Sequence, residues 1–379
     1  MSGRYEKKKE KKPAGWKKPV LIVLLVLVVL IAAVVVGVTV YYNAMLNKIN
    51  KVEVPKIDYA ALATETTQAA DAETTEAATE ETTETTEATE PHVASSADYI
   101  NILLVGQAAR EGEAERFADT MILCTLNTYE KTITLTSLLR DTLVQYPQYT
   151  DTAGKAHSGG KIKLTTIYHN GYICTRTTAD AMGLMNLTLY KNFGIEVDYN
   201  VEVDFEAFVK IIDLIGGVNV DLTAAEAKYL NEQGFAAKEG RFHLDGGPAL
   251  CFARMRHADG DNDSDIIRTE RQRRFMAEVL HRLKKLSLSD VQNIANEVLP
   301  MVTVSMSNSE ITDLLLKLIP MLPDLEIVQS GSCPAHYWGE MLDIYGDGVQ
   351  HSVLKYDINK TTQAMRYITK GEGELPEGY

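Results

Sequence analysis

Six arginines, Arg254, Arg256, Arg268, Arg271, Arg273 and Arg274, crowd into residues 254–275 of a chain whose formal net charge is -14. A string of carboxylates, Asp259, Asp261, Asp263 and Asp265, separates them into two groups. A guanidinium is a planar fork of donors that matches phosphate oxygens in pairs, so such a cluster is a candidate polyphosphate site. Two further motifs carry charge beside apolar runs: FADT at Phe117–Thr120, with Asp119, and SLLRDT at Ser137–Thr142, with Arg140 and Asp141. Many cations with few carboxylates suit a pyrophosphate neutralised by arginines and one divalent metal. The Arg140-Asp141 pair also has a plainer reading, as an ion pair that closes the fold.

Competing chemistries fit less well. GKAHSGGK at Gly154–Lys161 imitates a phosphate-binding loop, but Gly159 is followed by Gly160 and Lys161 by Ile162, so the required spacing fails. The acidic run from Asp259 has calcium-loop spacing, yet Ser264 stands where the sharp turn needs glycine. There is no GxSxG elbow and no HExxH pair, which removes the basis for serine or zinc hydrolysis. Nucleic acid is excluded by an acidic outer domain with no basic stripe interleaved with aromatics.

The elements that must position these residues are legible in outline. YINILLV (Tyr99–Val105), MILCTLN (Met121–Asn127) and TITLTS (Thr132–Ser137) read as neighbouring strands, the last two joined by a tight turn. If those two pair antiparallel, Asp119 and Arg140 share one sheet edge. Helices are expected over 177–192, stopped by Gly194, and over 205–215, closed by Gly216-Gly217. Strands are expected over 197–203, 218–222, 249–255 and 326–330. The run 249–255 would put Arg254 and Arg256 on one face. A helix from Ile266 to about Leu286 would align Arg268, Arg271 and Gln272 in one stripe, with Arg273 and Arg274 facing elsewhere. Further helices are expected over 288–298, 309–319 and 359–368. The interleaving predicts an α/β class, a mixed sheet with helices on both faces.

The first 18 residues hold eight Lys or Arg against two Glu, and residues 20–42 then run without a charge. Such a run is long enough to cross a bilayer, and the basic flank keeps the N-terminus cytoplasmic. Between Leu62 and Val93 there is no aromatic or branched aliphatic residue, so this Thr/Glu-rich stretch has nothing to offset ordering entropy. The expected organisation is therefore a cytoplasmic tail (1–19), a single transmembrane helix (20–42), a disordered linker (43–97) and an extracellular domain (98–379). The four cysteines show no metal-ligand spacing, and Cys124 and Cys251 read as buried thiols.

Taken in order, NILLVGQ, FADTMIL, SLLRDT, EVDFEAFVKIIDLIGGVNV and HLDGGPALCFARMRHADGDNDSDIIRTERQ resemble the LytR-CpsA-Psr family of wall-polymer ligases. The resemblance covers about residues 99–275. It implies a bacterial, Gram-positive type of cell-membrane phosphotransferase that moves a glycopolymer from a polyprenyl-pyrophosphate carrier to a peptidoglycan hydroxyl, in teichoic acid or capsule assembly. It also implies an apolar tunnel for the lipid. By the same resemblance Arg140, Arg254, Arg256, Arg268, Arg271 and Gln272 contact the pyrophosphate, Lys161 or Lys163 adds a phosphate contact, and Asp119 binds Mg2+. Asp141 either holds an arginine or accepts a proton.

Two positions depart from the family pattern. Ala108 stands where a second metal carboxylate is usual, and Lys163 where asparagine is common, with Gly171 left of a usual glycine pair. The alternative reading is therefore a polyprenyl-pyrophosphate-binding regulatory or weakly active paralogue, or a lipid pyrophosphatase. Restoring the carboxylate with Ala108→Asp is expected to raise magnesium-dependent transfer or pyrophosphate release. Unchanged turnover with magnesium activation intact would set the impaired-metal-site idea aside.

Overall fold

The computed structural model describes residues 41–63, 94–107, 115–255 and 265–377. The expected membrane span, apart from its last two residues, lies outside them, as do Ala108, Arg256 and the Asp259–Asp263 run. Among the described residues no helix is long and apolar enough to cross a membrane. The chain divides into two units, Met1–Lys48 and Ile49–Tyr379. Of the first, residues 41–46 are helical.

The second unit is built on a mixed seven-stranded sheet. In chain order its strands are β1 (Asn50–Lys51), β2 (Tyr99–Gln107), β3 (Ala118–Asn127), β4 (Thr132–Leu138), β9 (Tyr199–Asp204), β12 (Thr303–Val304) and β13 (Glu326–Cys333). They lie in the order β1-β12-β9-β2-β3-β4-β13. β2, β3 and β4 pair antiparallel, while β9 runs parallel to β2 and β13 parallel to β4. Short hairpins carry the remaining strands: β5 (Leu143–Tyr146) with β8 (Gly160–Lys163), and β6 (Tyr149–Thr150) with β7 (Ala156–His157). β10 (Val218–Leu222) pairs with β11 (Gly240–Leu244), and β14 (Tyr337–Leu342) with β15 (His351–Tyr356).

The helices are α1 (Leu164–Thr175), α2 (Thr178–Phe193), α3 (Phe205–Leu214), α4 (Ala224–Glu232), α5 (Gly246–Arg254), α6 (Asp265–Leu283), α7 (Leu288–Val298), α8 (Asn308–Met321) and α9 (Ile358–Lys370). Strand alternation divides the core between them. Leu103, Val105, Met121 and Leu123 point to one face and bury against Leu164, Ile167, Met182, Met185 and Met365 of α1, α2 and α9. On the other face, Ile122 and Leu135 meet Ala277 of α6, and Ile100 and Leu126 meet Met321 of α8. The expectation of helices on both faces holds for this reason. A further core, with Ile212, Val220, Phe252 and Phe275, joins α3, β10, α5 and α6 beyond the sheet.

Two expectations need correction. Residues 249–255, expected as a strand, lie in helix α5 up to Arg254. Ala249, Phe252 and Met255 are wholly buried and recur every third residue, a helical period masked by the small residues between them. Residues 49–63, expected in the linker, belong to the folded unit. β1 pairs with β12, Val52 and Val54 pack on the core, and the Tyr59 hydroxyl donates to the Val197 carbonyl at 3.4 Å. Unlike the Thr/Glu stretch, this segment has branched side chains to bury. All four cysteines are free; Cys333 is buried, while Cys124 and Cys251 are only partly so.

Gly171 is explained by packing. A Cβ there would stand 2.4 Å from the Asp180 carbonyl oxygen and 2.7 Å from Ala181 Cα, because α1 crosses α2 backbone to backbone. Gly171→Ala is expected to destabilise the domain by about 1–3 kcal/mol through overpacking, read by chemical denaturation. A variant as stable as the parent would mean that the helices separate at no cost.

Candidate active site

The antiparallel pairing of β3 with β4 brings the two sheet-edge motifs together. The Arg140 guanidinium donates to Asp119 Oδ1 at 2.8 Å. On its other side Asp141 lies 3.6 Å from Arg140 Nε, and Lys163 Nζ donates to Asp141 at 3.0 Å. Lys163 sits where β8 ends and α1 begins, which turns it inward, whereas Lys161 is exposed. Of the two lysines, Lys163 joins the Asp141–Arg140–Asp119 network.

Asp119 also lines a polar cleft of about 710 Å³, whose walls include Thr120, Phe205, Tyr229, Arg254, Arg268 and Gln272. Arg254, at the C-terminal end of α5, lies with its guanidinium carbon 4.4 Å from the centroid of the Phe205 ring, a cation–π contact that fixes its direction. Arg268 and Gln272 come from one face of α6, and Gln272 donates to the Ala253 carbonyl at 3.1 Å. Cys251 also faces the cleft; burial pushes its thiol up, with the Arg254 charge pulling it partly back.

Arg271 parts from the expected stripe. Its side chain is 2% exposed, its Nε donates to Glu226 at 3.1 Å and its Nη1 to the Met255 carbonyl at 2.5 Å. Glu226 also receives Arg274 at 2.6 Å, and its second oxygen accepts the Thr223 amide at 2.9 Å in a capping box on α4. Rotation about the helix axis separates the two roles: Arg268 and Gln272 face the cleft, while Arg271, between them in sequence, ties α6 to α4 and to the end of α5. The T-x-x-E spacing of Thr223 and Glu226 was a readable signal for this anchor. Phe205 and Tyr229 had no comparable signal, since each reads as an ordinary helix residue.

Continuous with the polar cleft is a narrow apolar slot of about 160 Å³, bounded by Leu104, Ile122, Val201 and Val203 of the sheet and by Phe208, Ile212, Phe275 and Met276 of the helices. Thr120, Phe205, Leu250, Arg254 and Gln272 border both spaces. A ligand with a charged head and an apolar tail matches that division. Near the end of β2, Glu202 is buried and accepts from the Tyr168 hydroxyl, the Gln107 amide and, at 3.4 Å, Arg116. Burial pushes this carboxyl up, and the Tyr168 bond and the Arg116 charge oppose the shift. The network fixes the strand end from which residue 108 departs.

Asp119 is 31% exposed, and its Oδ1 is engaged by Arg140 while the carboxylate faces the cleft. A hard oxygen ligand of this kind fits magnesium when phosphate oxygens and water complete the shell. Among the described residues it is the one carboxylate lining the cleft.

Comparison with known proteins agrees with this geometry. A family model described as LytR_cpsA_psr family matches residues 60–358. The chain is 31% identical over 191 residues to the Bacillus licheniformis polyisoprenyl-teichoic acid--peptidoglycan teichoic acid transferase TagU, covering 50% of this chain and 54% of that protein. It is 30% identical over 201 residues to Biofilm regulatory protein A of Streptococcus mutans, covering 51% of this chain and 45% of that one. The chain thus spans about half the length of the curated relatives it matches. A solved structure described as TagT bound to LIIa-WTA has a TM-score of 0.52 at 21% identity, over 74% of this chain and 94% of that one, a likeness of fold.

Removing the anchor should separate stability from the cleft. Glu226→Ala leaves Arg271 buried without its carboxylate and is expected to cost about 3–5 kcal/mol in denaturant unfolding. A loss below about 1 kcal/mol would show that the pair does not hold α6 in place.

Proposed function

The chain belongs to the LytR-CpsA-Psr family, and on that premise we propose that it is a membrane-anchored phosphotransferase. It moves a glycopolymer from a polyprenyl-pyrophosphate carrier to a peptidoglycan hydroxyl on the outer face of a bacterial membrane. The observation that carries this reading is the polar cleft opening into an apolar slot, with Arg254 and Gln272 on the border. Pyrophosphate oxygens would lie against Arg254 and Arg268, with Arg140 held toward them through Asp119, and the first isoprene units would enter the slot. The domain then faces outward, with residues 20–42 as the anchor and the Thr/Glu-rich stretch as a spacer.

In the reaction the acceptor oxygen attacks the phosphorus nearest the sugar. A new P–O bond forms, the bond to the polyprenyl phosphate breaks, and the hydroxyl proton passes to solvent water. Charge builds on the leaving phosphate, and guanidiniums already oriented by Phe205 and Asp119 stabilise it without reorganising. Asp141, held between Lys163 and Arg140, positions those two cations. Magnesium, held by Asp119 and phosphate oxygens, would supply additional neutralisation of the pyrophosphate. Arg256 belongs to the proposed site by resemblance to the family motif. Arg271 is moved by its Glu226 pairing from substrate contact to positioning.

A second reading rests on Ala108. With one carboxylate in place of two, the protein would hold the lipid carrier and turn it over slowly, as a regulator or a lipid pyrophosphatase would. Product analysis with and without peptidoglycan fragments separates transfer from hydrolysis.

Arg254→Ala and Arg268→Ala are each expected to lower affinity for polyprenyl pyrophosphate in detergent by tenfold or more, with the thermal unfolding midpoint near that of the parent. Each removes a charge-assisted hydrogen bond worth about 1.5–3 kcal/mol. Parent-like affinity in both variants would rule out this cleft as the pyrophosphate site.

A further inference from the structure

Asp151, His157 and Cys174 converge at a place that the proposed transfer does not use. Their ligand-forming atoms all lie within 4.8 Å of one another. Asp151 follows β6 and His157 ends β7, so the two flank one hairpin, while Cys174 lies in the last turn of α1. Asp151 is 5% exposed; its Oδ1 accepts the amides of Ala153 at 3.0 Å and Lys155 at 2.9 Å, and its Oδ2 meets His157 Nε2 at 2.8 Å. The Cys174 thiol donates to the Asn170 carbonyl at 3.2 Å.

A separate residue holds these groups together. Asp180 of α2 is fully buried and accepts from the Tyr149 hydroxyl at 2.7 Å, from the Thr152 amide at 2.9 Å and from the Thr175 hydroxyl. Burial works against its charge, yet these bonds hold the carboxyl below its usual range. Asp180 therefore ties the hairpin, through Tyr149 and Thr152, to the residue next to Cys174. Packed ligands oriented by a surrounding shell are what a metal centre requires.

A divalent cation bound among them would stabilise the Cys174 thiolate beside the Asp151 carboxylate.

We propose that Asp151, His157 and Cys174 form a zinc-class metal site, with a fourth position for water. One sulfur, one imidazole nitrogen and one carboxylate oxygen are ligands that zinc accepts together, whereas magnesium takes oxygen. On binding, the Cys174 S–H bond breaks, its proton passes to solvent, and a metal–sulfur bond forms. No oxidant or reductant takes part. The ion fastens the β6–β7 hairpin to the C-terminal end of α1, whose other end carries Lys163. The site is independent of the proposed transfer and stands or falls without it.

The full-length protein in detergent, stripped with a chelator, is titrated with Zn2+ and, as a spectroscopic probe, with Co2+. One equivalent of Zn2+ per chain is expected to raise the melting temperature on the order of 5 °C. Co2+ is expected to give a thiolate-to-metal charge-transfer band. Cys174→Ser and His157→Ala each abolish the temperature shift, and Cys174→Ser abolishes the band, while Cys124→Ser keeps both. Absence of the band in the parent overturns the proposal, and so does a band or shift that survives Cys174→Ser. Circular dichroism of each stripped variant confirms that the comparison is made between folded proteins.

Discussion

The buried pair between Arg271 and Glu226 is the interaction on which the candidate site depends. Both side chains are almost fully removed from water, where an unpartnered charge would be costly, so each fixes the other. Glu226 divides its oxygens between the α4 cap and two arginines of α6, and Arg271 also reaches the last carbonyl beyond α5. The start of α4 and the end of α5 are thereby tied to the middle of α6. Once α6 is held in rotation, Arg268 and Gln272 can only face the cleft.

The sheet supplies the other wall by a simpler constraint. Antiparallel pairing of β3 and β4 requires that the start of one and the end of the other share an edge, and this brings Asp119 to Arg140. Alternation along the strands decides the rest. Side chains on one face pack on α1, α2 and α9, while those on the opposite face bound the apolar slot beneath the arginines. A charged mouth above an apolar slot follows from the pleat of a few strands and the rotation of one helix.

Much of the fold was legible because its signals are local. Branched-aliphatic runs marked β2, β3 and β4, and Gly194 and Gly216-Gly217 marked the ends of α2 and α3 through their left-handed backbone. The misread segment is instructive. Residues 249–255 mix small and large apolar side chains, and their period cannot be told from alternation until burial shows which of them pack. The stretch at 49–63 carries no local signal of order, because β1 has two residues and gains its order from β12, some 250 positions later. Helix α1 was read only as a motif, since its contact with α2 is made by a glycine.

The sequence by itself determined the chemistry available: guanidiniums enough for a pyrophosphate, a carboxylate for one cation, and the ordered motifs of a family. Residue type and spacing carry that information without folding. Tertiary structure decided the division of labour among those arginines. Arg268 and Arg271 are three residues apart and chemically identical, yet one lines a cleft and the other closes a buried ion pair. The difference rests on a glutamate 45 positions away, and a contact of that range exists only once the chain has packed.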